Sequence, residues 1–276
     1  MSIHEVTIDV GGKPLRIETG RMVKLAAGNA IVTFGETMVV TGCSTSKPRP
    51  GIDFFPLTID YREKTYAAGK IPGGFLKREA APRPKEILTM RMTDRPIRPL
   101  WPKGFKDEVQ VQTFVISYDQ MNDPDILSVN AASAAVSLAK ELPFLGPIGA
   151  VRVGLIDGEF VAFPDTEQMA VSEMDMVVAG TKNAVTMVEA GANEISEETA
   201  VAALEFAHEV IKNIVAGIEE LREKTGWKPV EYQSPVEDTT AYDAVVEKFG
   251  DAFDKAVKSV TKLERNAAKR AVMQEA

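Results

Sequence analysis

Alternating apolar and polar positions recur along the first two thirds of the chain and predict β-strands. The clearest alternation is "EVQVQTFVIS" at 108–117. Other runs are interrupted by Gly-Gly, Gly-Glu or Asp-Gly pairs, which predict the turns of hairpins. These further strands are predicted within residues 5–20, 30–46, 54–61, 149–163 and 175–191.

Helical periodicity and capping residues predict α-helices between and after these strands. Asp123 is a good N-cap with Pro124 at the first helical position, and the Ala- and Ser-rich body that follows can pack closely on a sheet. A short helix is predicted over 84–93, and Ser196 caps a long helix that runs to about Lys224. The apolar face of the long helix consists of Leu204, Ala207, Ile211, Ile214, Ile218 and Leu221.

The order of these elements predicts two domains of different class. We expect an α+β domain over residues 1–228, in which sheets are packed with helices. A polar linker with two prolines is expected over 229–240, and the start of an all-α domain over 241–276. The helical pattern still continues at the last residue, so we expect the second domain to be incomplete.

Composition narrows the class of protein. The chain is 45% hydrophobic and 26% charged, and it contains no apolar run long enough to span a membrane. It lacks a secretory signal pattern, and its one cysteine, Cys43, is expected to be an inert buried thiol. His4 and His208 form no metal-ligand pattern. We therefore expect a cytoplasmic protein with no metal site of its own and no membrane partner.

One stretch concentrates positive charge in a chain whose formal net charge is -8. This basic segment, residues 70–101, contains five prolines and only three acidic residues. Its cations are Lys70, Lys77, Arg78, Arg83, Lys85, Arg91, Arg95 and Arg98. Two interpretations are open: an ordinary solvated surface, or a site for RNA or phosphate.

An apolar pair beside two cations favours RNA. Phe75 and Leu76 directly precede Lys77 and Arg78, and the prolines nearby restrict the backbone that carries them. Single-stranded nucleic acid is bound by this combination, because a base stacks on an aromatic ring while the phosphates meet the cations.

Two arginines farther along the segment are held at a fixed spacing. Arg95 and Arg98 flank Pro96 in "DRPIRP", and arginine suits bidentate contact with phosphate. Asp94 provides an alternative, since it could instead pin one of these arginines in a structural ion pair.

Several stretches match a known family. "DFFPLTIDYREKTYAAGKIPGGFLKRE", "DRPIRPLWPKGF", "NDPDIL", "GPIGAVRVG", "MDMVVAGT" and "MVEAGANEISEE" resemble the amino-terminal part of bacterial polynucleotide phosphorylase, a polyribonucleotide nucleotidyltransferase. The resemblance covers essentially the whole chain. It implies a first RNase PH-like domain, of the ribosomal protein S5 domain 2-like fold, followed by the start of the family's helical domain.

The resemblance also implies a function for the complete protein. Members of the family degrade RNA from the 3′ end with phosphate as co-substrate, release nucleoside diphosphates and need Mg²⁺. They form homotrimeric rings around a channel, bind single-stranded RNA, act in mRNA degradation and join RNA-degradation complexes. The alternative is a stand-alone, non-catalytic RNA-binding ring subunit of the exosome type.

The RNA-binding residues implied by the resemblance lie in the basic segment. An aromatic-aromatic-basic-basic loop of the family grips RNA at the channel, and here it reads Phe75-Leu76-Lys77-Arg78. Leu76 replaces the second aromatic residue. The family's next arginine is displaced by two positions to Arg83. Together with Arg95 and Arg98, these residues form the predicted RNA-binding set.

The resemblance implies that catalysis resides in a second, similar domain. That domain binds phosphate at a Gly-Ser-Ser turn and Mg²⁺ through two aspartates. Here the turn reads Asp123-Pro124-Asp125, Asp175 matches one aspartate, and Met169 stands where the other belongs. Proline has no N–H to donate and two carboxylates repel phosphate. We therefore expect no catalytic or metal-binding residue in this chain, and expect Mg²⁺ to be bound by the second domain.

Overall fold

The chain folds into two compact units, described by a computed structural model. The model describes residues 2–73, 79, 81–228, 230–236 and 238–276. The units are Met1–Gln233 and Ser234–Ala276. The first unit carries the candidate site residues, and the second consists of helices.

Within its described residues, the first unit contains two β-sheets. Their strands are β1 (His4–Val10), β2 (Lys13–Thr19), β3 (Gly28–Phe34), β4 (Thr37–Ser46), β5 (Leu57–Glu63), β6 (Glu108–Ser117), β7 (Gly149–Ile156), β8 (Glu159–Ala162), β9 (Met174–Gly180) and β10 (Val185–Ala192). The larger sheet has the order β1-β2-β3-β4-β6-β5, and only β5 and β6 pair in parallel. The smaller, antiparallel sheet has the order β10-β9-β7-β8.

Helices connect and cover these sheets. They are α1 (Pro84–Ile97), α2 (Pro124–Leu138), α3 (Thr166–Val171), α4 (Glu197–Lys224), α5 (Thr240–Val257) and α6 (Lys262–Glu275), and a 3₁₀ turn, Thr65–Ala68, follows β5. The helix α4 packs on β1 and β7, and α1 packs on β5. The parallel pair of β5 and β6 arises because the chain crosses through α1 between these two strands.

The centre of the first unit is α2, which is buried at each of its positions. It lies against β3 and β4 of the larger sheet and β7 of the smaller one. A Cβ atom on Gly28 of β3 would lie 2.0 Å from the Ala135 carbonyl oxygen, so only glycine permits this close approach. Asn130 exchanges hydrogen bonds of 2.9 and 2.8 Å with the Ala150 backbone, which ties α2 to β7. The small residues predicted for close packing therefore join the two sheets.

The α+β class predicted from the sequence is confirmed. Two local predictions need adjustment. The helix predicted over 84–93 continues to Ile97, because Pro96 lies in its last turn and breaks only a terminal hydrogen bond. The short helix α3 was not predicted, since six residues are too few for a periodic pattern. Asp165 begins it with a capping box that includes Gln168.

The first compact unit ends at Gln233. The Tyr232 ring lies 5.5 Å from the Phe105 ring, which holds the chain against this unit as far as Gln233. In the second unit, α5 and α6 pack on each other, and a capping box of Thr261 and Glu264 begins α6. The expected division of the chain into domains stays a prediction.

Candidate nucleic-acid interface

The predicted RNA-binding residues fall into two groups. Phe75, Leu76, Lys77 and Arg78 lie outside the described residues. The other predicted residues lie in or beside α1 of the first unit. They are Arg83, Arg95 and Arg98.

Arg98 forms an ion pair inside the chain. Its guanidinium nitrogens donate to both oxygens of Asp94 at 2.8 and 2.6 Å, and to the Leu57 carbonyl oxygen at 3.0 Å. These contacts brace the end of α1 against β5. The structure therefore pairs Asp94 with Arg98, as one of the two interpretations of "DRPIRP" required. An RNA contact of this arginine stays a prediction.

Arg95 reaches the other sheet. Its guanidinium donates to the Glu189 carboxylate on β10, and both side chains are about half exposed. A phosphate would have to compete with this carboxylate for the same nitrogens. Its predicted RNA contact also remains a prediction.

Arg83 occupies the N-cap position of α1. Its backbone N–H donates to Glu86 Oε2 at 2.5 Å, and the other Glu86 oxygen accepts from the Glu63 N–H at 2.8 Å. Glu86 is 4% exposed, so its carboxylate fixes the start of α1 to the end of β5 from the interior. The Arg83 guanidinium forms no salt bridge within the described residues.

Glu79, the residue after the 74–78 stretch, is fastened to the 3₁₀ turn. Its Oε1 accepts from the Thr65 N–H at 2.5 Å and from Thr65 Oγ1 at 2.8 Å. The ammonium of Lys64 donates to the Glu79 carbonyl oxygen at 2.9 Å. The hydrogen bonds from Thr65 lower the pKa of Glu79, so the carboxylate stays ionised at neutral pH.

The start of α2 is closed by its own side chains. Asp123 Oδ1 accepts from the Asp125 N–H at 3.1 Å, and Asp125 Oδ1 accepts from the Ile126 N–H at 2.6 Å. Pro124 has no N–H to offer. A helix N-terminus ordinarily presents free N–H groups and a positive dipole end to an anion. At this end, carboxylates of the chain already hold those groups.

Two cations neutralise these carboxylates. Lys85 Nζ lies 2.9 and 3.0 Å from the Asp123 oxygens, and the Arg152 guanidinium lies 3.2 and 3.0 Å from those of Asp125. Arg152 Nε also donates to Asp175 Oδ1 at 2.9 Å. We call these five residues the ionic cluster. Asp125 and Arg152 are its least exposed members, with side chains 8% and 18% exposed.

Burial and pairing act in opposite directions in the ionic cluster. Burial raises the pKa of Asp125, and the adjacent Arg152 guanidinium opposes that rise. Burial lowers the pKa of Arg152, but the carboxylates of Asp125 and Asp175 outweigh it and raise the pKa overall. The pKa of Lys85 is raised in the same way by Asp123 and Glu63. Both cations are therefore held in their charged form.

The cluster does not fit a magnesium site. Mg²⁺ needs free carboxylate oxygens in octahedral geometry, whereas Asp123, Asp125 and Asp175 each accept from a cationic side chain. Among the described residues, no group of three or more His, Cys, Asp or Glu side chains is arranged to hold a metal ion.

Cys43 and His208 both lie against other parts of the described chain. Cys43 is buried, and burial raises the pKa of its thiol to about 12, so it is unreactive. His208 Nε2 lies 3.1 Å from the Thr181 carbonyl oxygen, a contact that ties α4 to the turn after β9. In the described part of the chain, no helix has the length and apolar character that a membrane crossing requires.

Sequence reasoning missed the partners of the aspartates. In the sequence, Arg152 belongs to a strand pattern and Lys85 is one cation of the basic segment, so neither is marked as the partner of an aspartate. A single arginine inside the apolar run of β7 was the available signal, because a charge in such a run requires a partner. No local pattern identified Asp125 as that partner.

Two family descriptions match the chain in tandem. Residues 11–140 match the first domain of the 3′ exoribonuclease family, RNase PH, and residues 146–210 match its second domain. Together the two matches cover more than two thirds of the chain. They include β2 to β10, α1, α2 and the ionic cluster.

Three curated relatives that match the chain share one name. Polyribonucleotide nucleotidyltransferases of Rhodopirellula baltica, Heliobacterium modesticaldum and Thermomicrobium roseum are 46%, 48% and 48% identical over 99%, 98% and 99% of this chain. The chain spans 36%, 38% and 35% of their lengths, about a third of each.

Solved structures support the fold. An archaeal exosome core chain aligns with a TM-score of 0.54 over 79% of this chain and 86% of its own. Rice (Oryza sativa) Rrp46 aligns with a TM-score of 0.59 over 77% and 94%. Each is 16% identical to this chain, so the likeness concerns the fold alone. The chain therefore belongs to the 3′ exoribonuclease (RNase PH) family, and the resemblance to polynucleotide phosphorylase drawn from its motifs is confirmed.

Proposed function

We propose that this chain is the ring-building and RNA-guiding part of a phosphate-dependent 3′-to-5′ exoribonuclease, and that it carries no active site of its own. The complete enzyme would cleave RNA with phosphate and release nucleoside diphosphates. The observation that carries the non-catalytic assignment is the closed start of α2. There Asp123 and Asp125 hold the helix N–H groups and are themselves held by Lys85 and Arg152.

Electrostatics explains why this arrangement disfavours phosphorolysis. An attacking phosphate needs free donors and a positive field at its binding place. At the start of α2, the cations that could supply the field are already paired, and each phosphate oxygen would approach a carboxylate. Opening the site would leave a buried charge uncompensated at Asp125 or Arg152, which is costly.

The RNA-guiding role rests on the basic segment. Phe75-Leu76-Lys77-Arg78 would grip a single strand, with Arg83, Arg95 and Arg98 as further cations. Leu76 offers no ring for stacking, so this chain would hold RNA less tightly than one with two aromatic residues. Three copies would surround the strand as a homotrimer.

The remaining parts of the proposal concern the complete protein. We place the first RNase PH-like domain at 1–228, a linker at 229–240 and the start of an all-α domain at 241–276. The second RNase PH-like domain, with its Mg²⁺ site, would lie in the part of the protein that this sequence does not include. A cytoplasmic location and partners in an RNA-degradation complex complete the proposal.

The experiment uses the chain with a labelled oligo(A), phosphate and Mg²⁺, and follows fluorescence anisotropy and product length together. We expect binding without shortening. Lys77→Ala/Arg78→Ala should weaken binding by at least about tenfold, because two phosphate contacts are lost. Lys24→Ala/Lys140→Ala removes the same charge at two exposed sites outside the segment and should have a small effect.

Two outcomes would contradict the proposal. Release of nucleoside diphosphates would mean that this chain has an active site, whatever its affinity for RNA. Equal loss of binding in both double variants would mean that RNA affinity depends only on the net charge of the chain and not on where the cations lie. Leu76→Phe provides a gain-of-function check, since a restored ring should strengthen binding by roughly 1–3 kcal/mol if a base stacks on it.

A further inference from the structure

A small pocket lies between the 3₁₀ turn, the end of β6 and the start of α1. Its volume is about 180 Å³. Pockets that hold drug-sized ligands are about 300–1,000 Å³, so this one suits a single small group. The polar side chains that line it are Glu63, Lys64, Thr65, Lys70, Arg83 and Tyr118. We call it the turn pocket.

The charge of the turn pocket is positive. Lys64, Lys70 and Arg83 line the pocket with one carboxylate, that of Glu63, and a Glu79 carboxylate oxygen lies 4.0 Å from Lys64 Nζ. Glu63 is already engaged, since its Oε1 lies 3.0 Å from Lys85 Nζ and accepts from the Tyr61 hydroxyl at 2.6 Å. Within the described residues, Lys70 and Arg83 form no salt bridge. Glu79, outside the lining, attracts Lys64 and Arg83 electrostatically, so Lys70 is the lining cation with no carboxylate partner among the described residues.

The walls of the pocket are fixed before any ligand arrives. The Tyr118 N–H donates to the Ala67 carbonyl oxygen at 2.9 Å, which ties the 3₁₀ turn to the end of β6. The Lys70 N–H donates to the Thr65 carbonyl oxygen at 3.0 Å and closes the turn on itself. Burial raises the pKa of Tyr118, so its phenol is neutral and can donate a hydrogen bond at physiological pH. The backbone of the pocket is therefore fixed, while the Lys70 and Arg83 side chains are exposed and lose entropy when an anion binds.

The turn pocket lies close in the sequence to the proposed RNA grip, the residues Phe75-Leu76-Lys77-Arg78. Thr65 lines the pocket, but it donates both its N–H and its hydroxyl to the Glu79 carboxylate. Neither group is therefore free to donate to a phosphate. Glu79 follows residues 74–78 directly in the sequence. The pocket therefore lies where the chain returns from the proposed RNA-gripping residues.

We propose that the turn pocket binds one phosphate group of the RNA strand through Lys70 and Arg83, with Lys64 and Tyr118 as supporting donors. This rests on the proposed RNA-guiding function and adds a second contact to it. A phosphodiester next to the gripped base would then be held at a fixed place. The same chemistry would accept free inorganic phosphate, so the two ligands are tested separately.

The RNA arm measures oligo(A) binding by fluorescence anisotropy at several salt concentrations. Lys70→Gln and Arg83→Gln should each weaken binding about five- to tenfold, and each should lower the salt slope by about 0.7, the value of one single-strand phosphate. Because both cations share one phosphate, the double variant should lose about 0.7 in slope and not about 1.4. Lys140→Gln is the matched control, past the opposite end of α2 and about 20 Å away along the helix axis.

The phosphate arm measures the thermal unfolding of the same proteins in inorganic phosphate and in chloride of equal ionic strength. Phosphate should raise the Tm of the wild type more than that of Lys70→Gln/Arg83→Gln. Unfolding in chloride also reports whether the substitutions disturb the fold.

The results separate this proposal from the proposed function. If the wild type binds oligo(A) and the pocket variants bind it equally well, the pocket assignment is wrong while RNA guidance stands. If the wild type fails to bind oligo(A), RNA guidance fails, and the phosphate arm alone decides the pocket. In that case a Tm increase confined to the wild type supports a phosphate site, and equal Tm values overturn it.

Discussion

The ionic cluster and the turn pocket adjoin at Pro124, which lines the pocket and separates Asp123 from Asp125, and they use their charges in opposite ways. In the ionic cluster, Lys85 and Arg152 are bound to carboxylates. In the turn pocket, Lys70 and Arg83 form no salt bridge among the described residues, although Arg83 is attracted by the Glu79 carboxylate. Glu63 belongs to both places, because it lines the pocket and binds Lys85.

The difference teaches that pairing, and not the mere presence of arginine and lysine, decides whether a place can receive phosphate. Both regions contain cations, but Arg152 of the ionic cluster is partly buried, whereas Lys70 and Arg83 of the turn pocket are exposed. Only where the carboxylates are missing or already engaged is the positive field available to a ligand. We therefore expect the first region to contribute to stability, and we propose binding only for the second.

The largest expected effect comes from breaking the buried pair. Arg152→Met should destabilise the chain by about 3–5 kcal/mol, because Asp125 is left as an uncompensated buried charge. Urea unfolding at pH 7 measures this. Arg49→Met is the matched control, since Arg49 is 78% exposed and lies 3.6 Å from Glu108. A pair of that kind contributes about 0–1 kcal/mol.

The sign of a pH dependence tests the same explanation. Without Arg152, burial should raise the pKa of Asp125 further, so the folded variant binds a proton more readily than the unfolded one. Stability from such a group is present at low pH and lost as pH rises through the folded pKa. The deficit of Arg152→Met should therefore be smaller at pH 5 than at pH 7. A deficit that grows toward low pH would contradict the uncompensated-charge explanation.

Removing a carboxylate that is held by backbone N–H groups should destabilise the chain less than removing Arg152. Asp119 accepts from the Met121 and Asn122 N–H groups at 2.8 Å each and from the Glu36 N–H at 3.1 Å. It thus fixes the approach to Asp123 without any cation. Asp119→Ala should cost about 1–2 kcal/mol at pH 7 in urea unfolding. Asn122→Ala removes one amide partner and keeps the carboxylate, so its cost should be lower.

The stability contribution of Asp119 should depend on pH in the opposite way to that of Asp125 in the ionic cluster. Burial acts to raise its pKa, but the hydrogen bonds from Asn122 and Met121 outweigh burial and lower the pKa to about 2 from 3.8. A depressed carboxyl pKa contributes stability that is present above the unfolded value and is lost as pH falls through the folded one. The gap between wild type and Asp119→Ala should therefore close between about pH 4 and pH 2. A gap that stays constant over this range would mean that the carboxylate charge is not involved.

The fold and the site differ in how far the sequence predicted them. Alternation and turn residues predicted the strands, and Asp123 and Pro124 predicted the start of α2, because these features depend on neighbouring residues. Asp94 and Arg98 are four residues apart on one helix, so their pair could be anticipated as an alternative. Arg152 and Asp125 are 27 residues apart and meet only because β7 packs on α2. The turn pocket needs four separate segments, and no local pattern contains them together.

An exposed pair in the ionic cluster should contribute less than the buried one. The Lys85 and Asp123 side chains are 45% and 36% exposed, so water screens their attraction. Lys85→Met should cost about 0.5–1 kcal/mol in urea unfolding, although Lys85 contacts two carboxylates. A loss as large as that of Arg152→Met would mean that the cluster acts as one cooperative unit and that exposure does not rank its members.

The smallest expected effect concerns Glu79, which connects the turn pocket to the proposed RNA grip. Glu79→Gln keeps an acceptor for the Thr65 N–H and removes a negative charge, so it should bind oligo(A) at least as tightly as the wild type. Glu79→Ala removes the acceptor and should bind about threefold more weakly than Glu79→Gln, the value of one modest hydrogen bond. The salt slope should be equal in both variants, because neither removes a cation. This separates a loss of placement from a loss of charge, which Lys70→Gln and Arg83→Gln produce. Equal affinity of the two Glu79 variants would mean that the fastening of Glu79 to Thr65 does not position RNA, and that the pocket and the grip act independently.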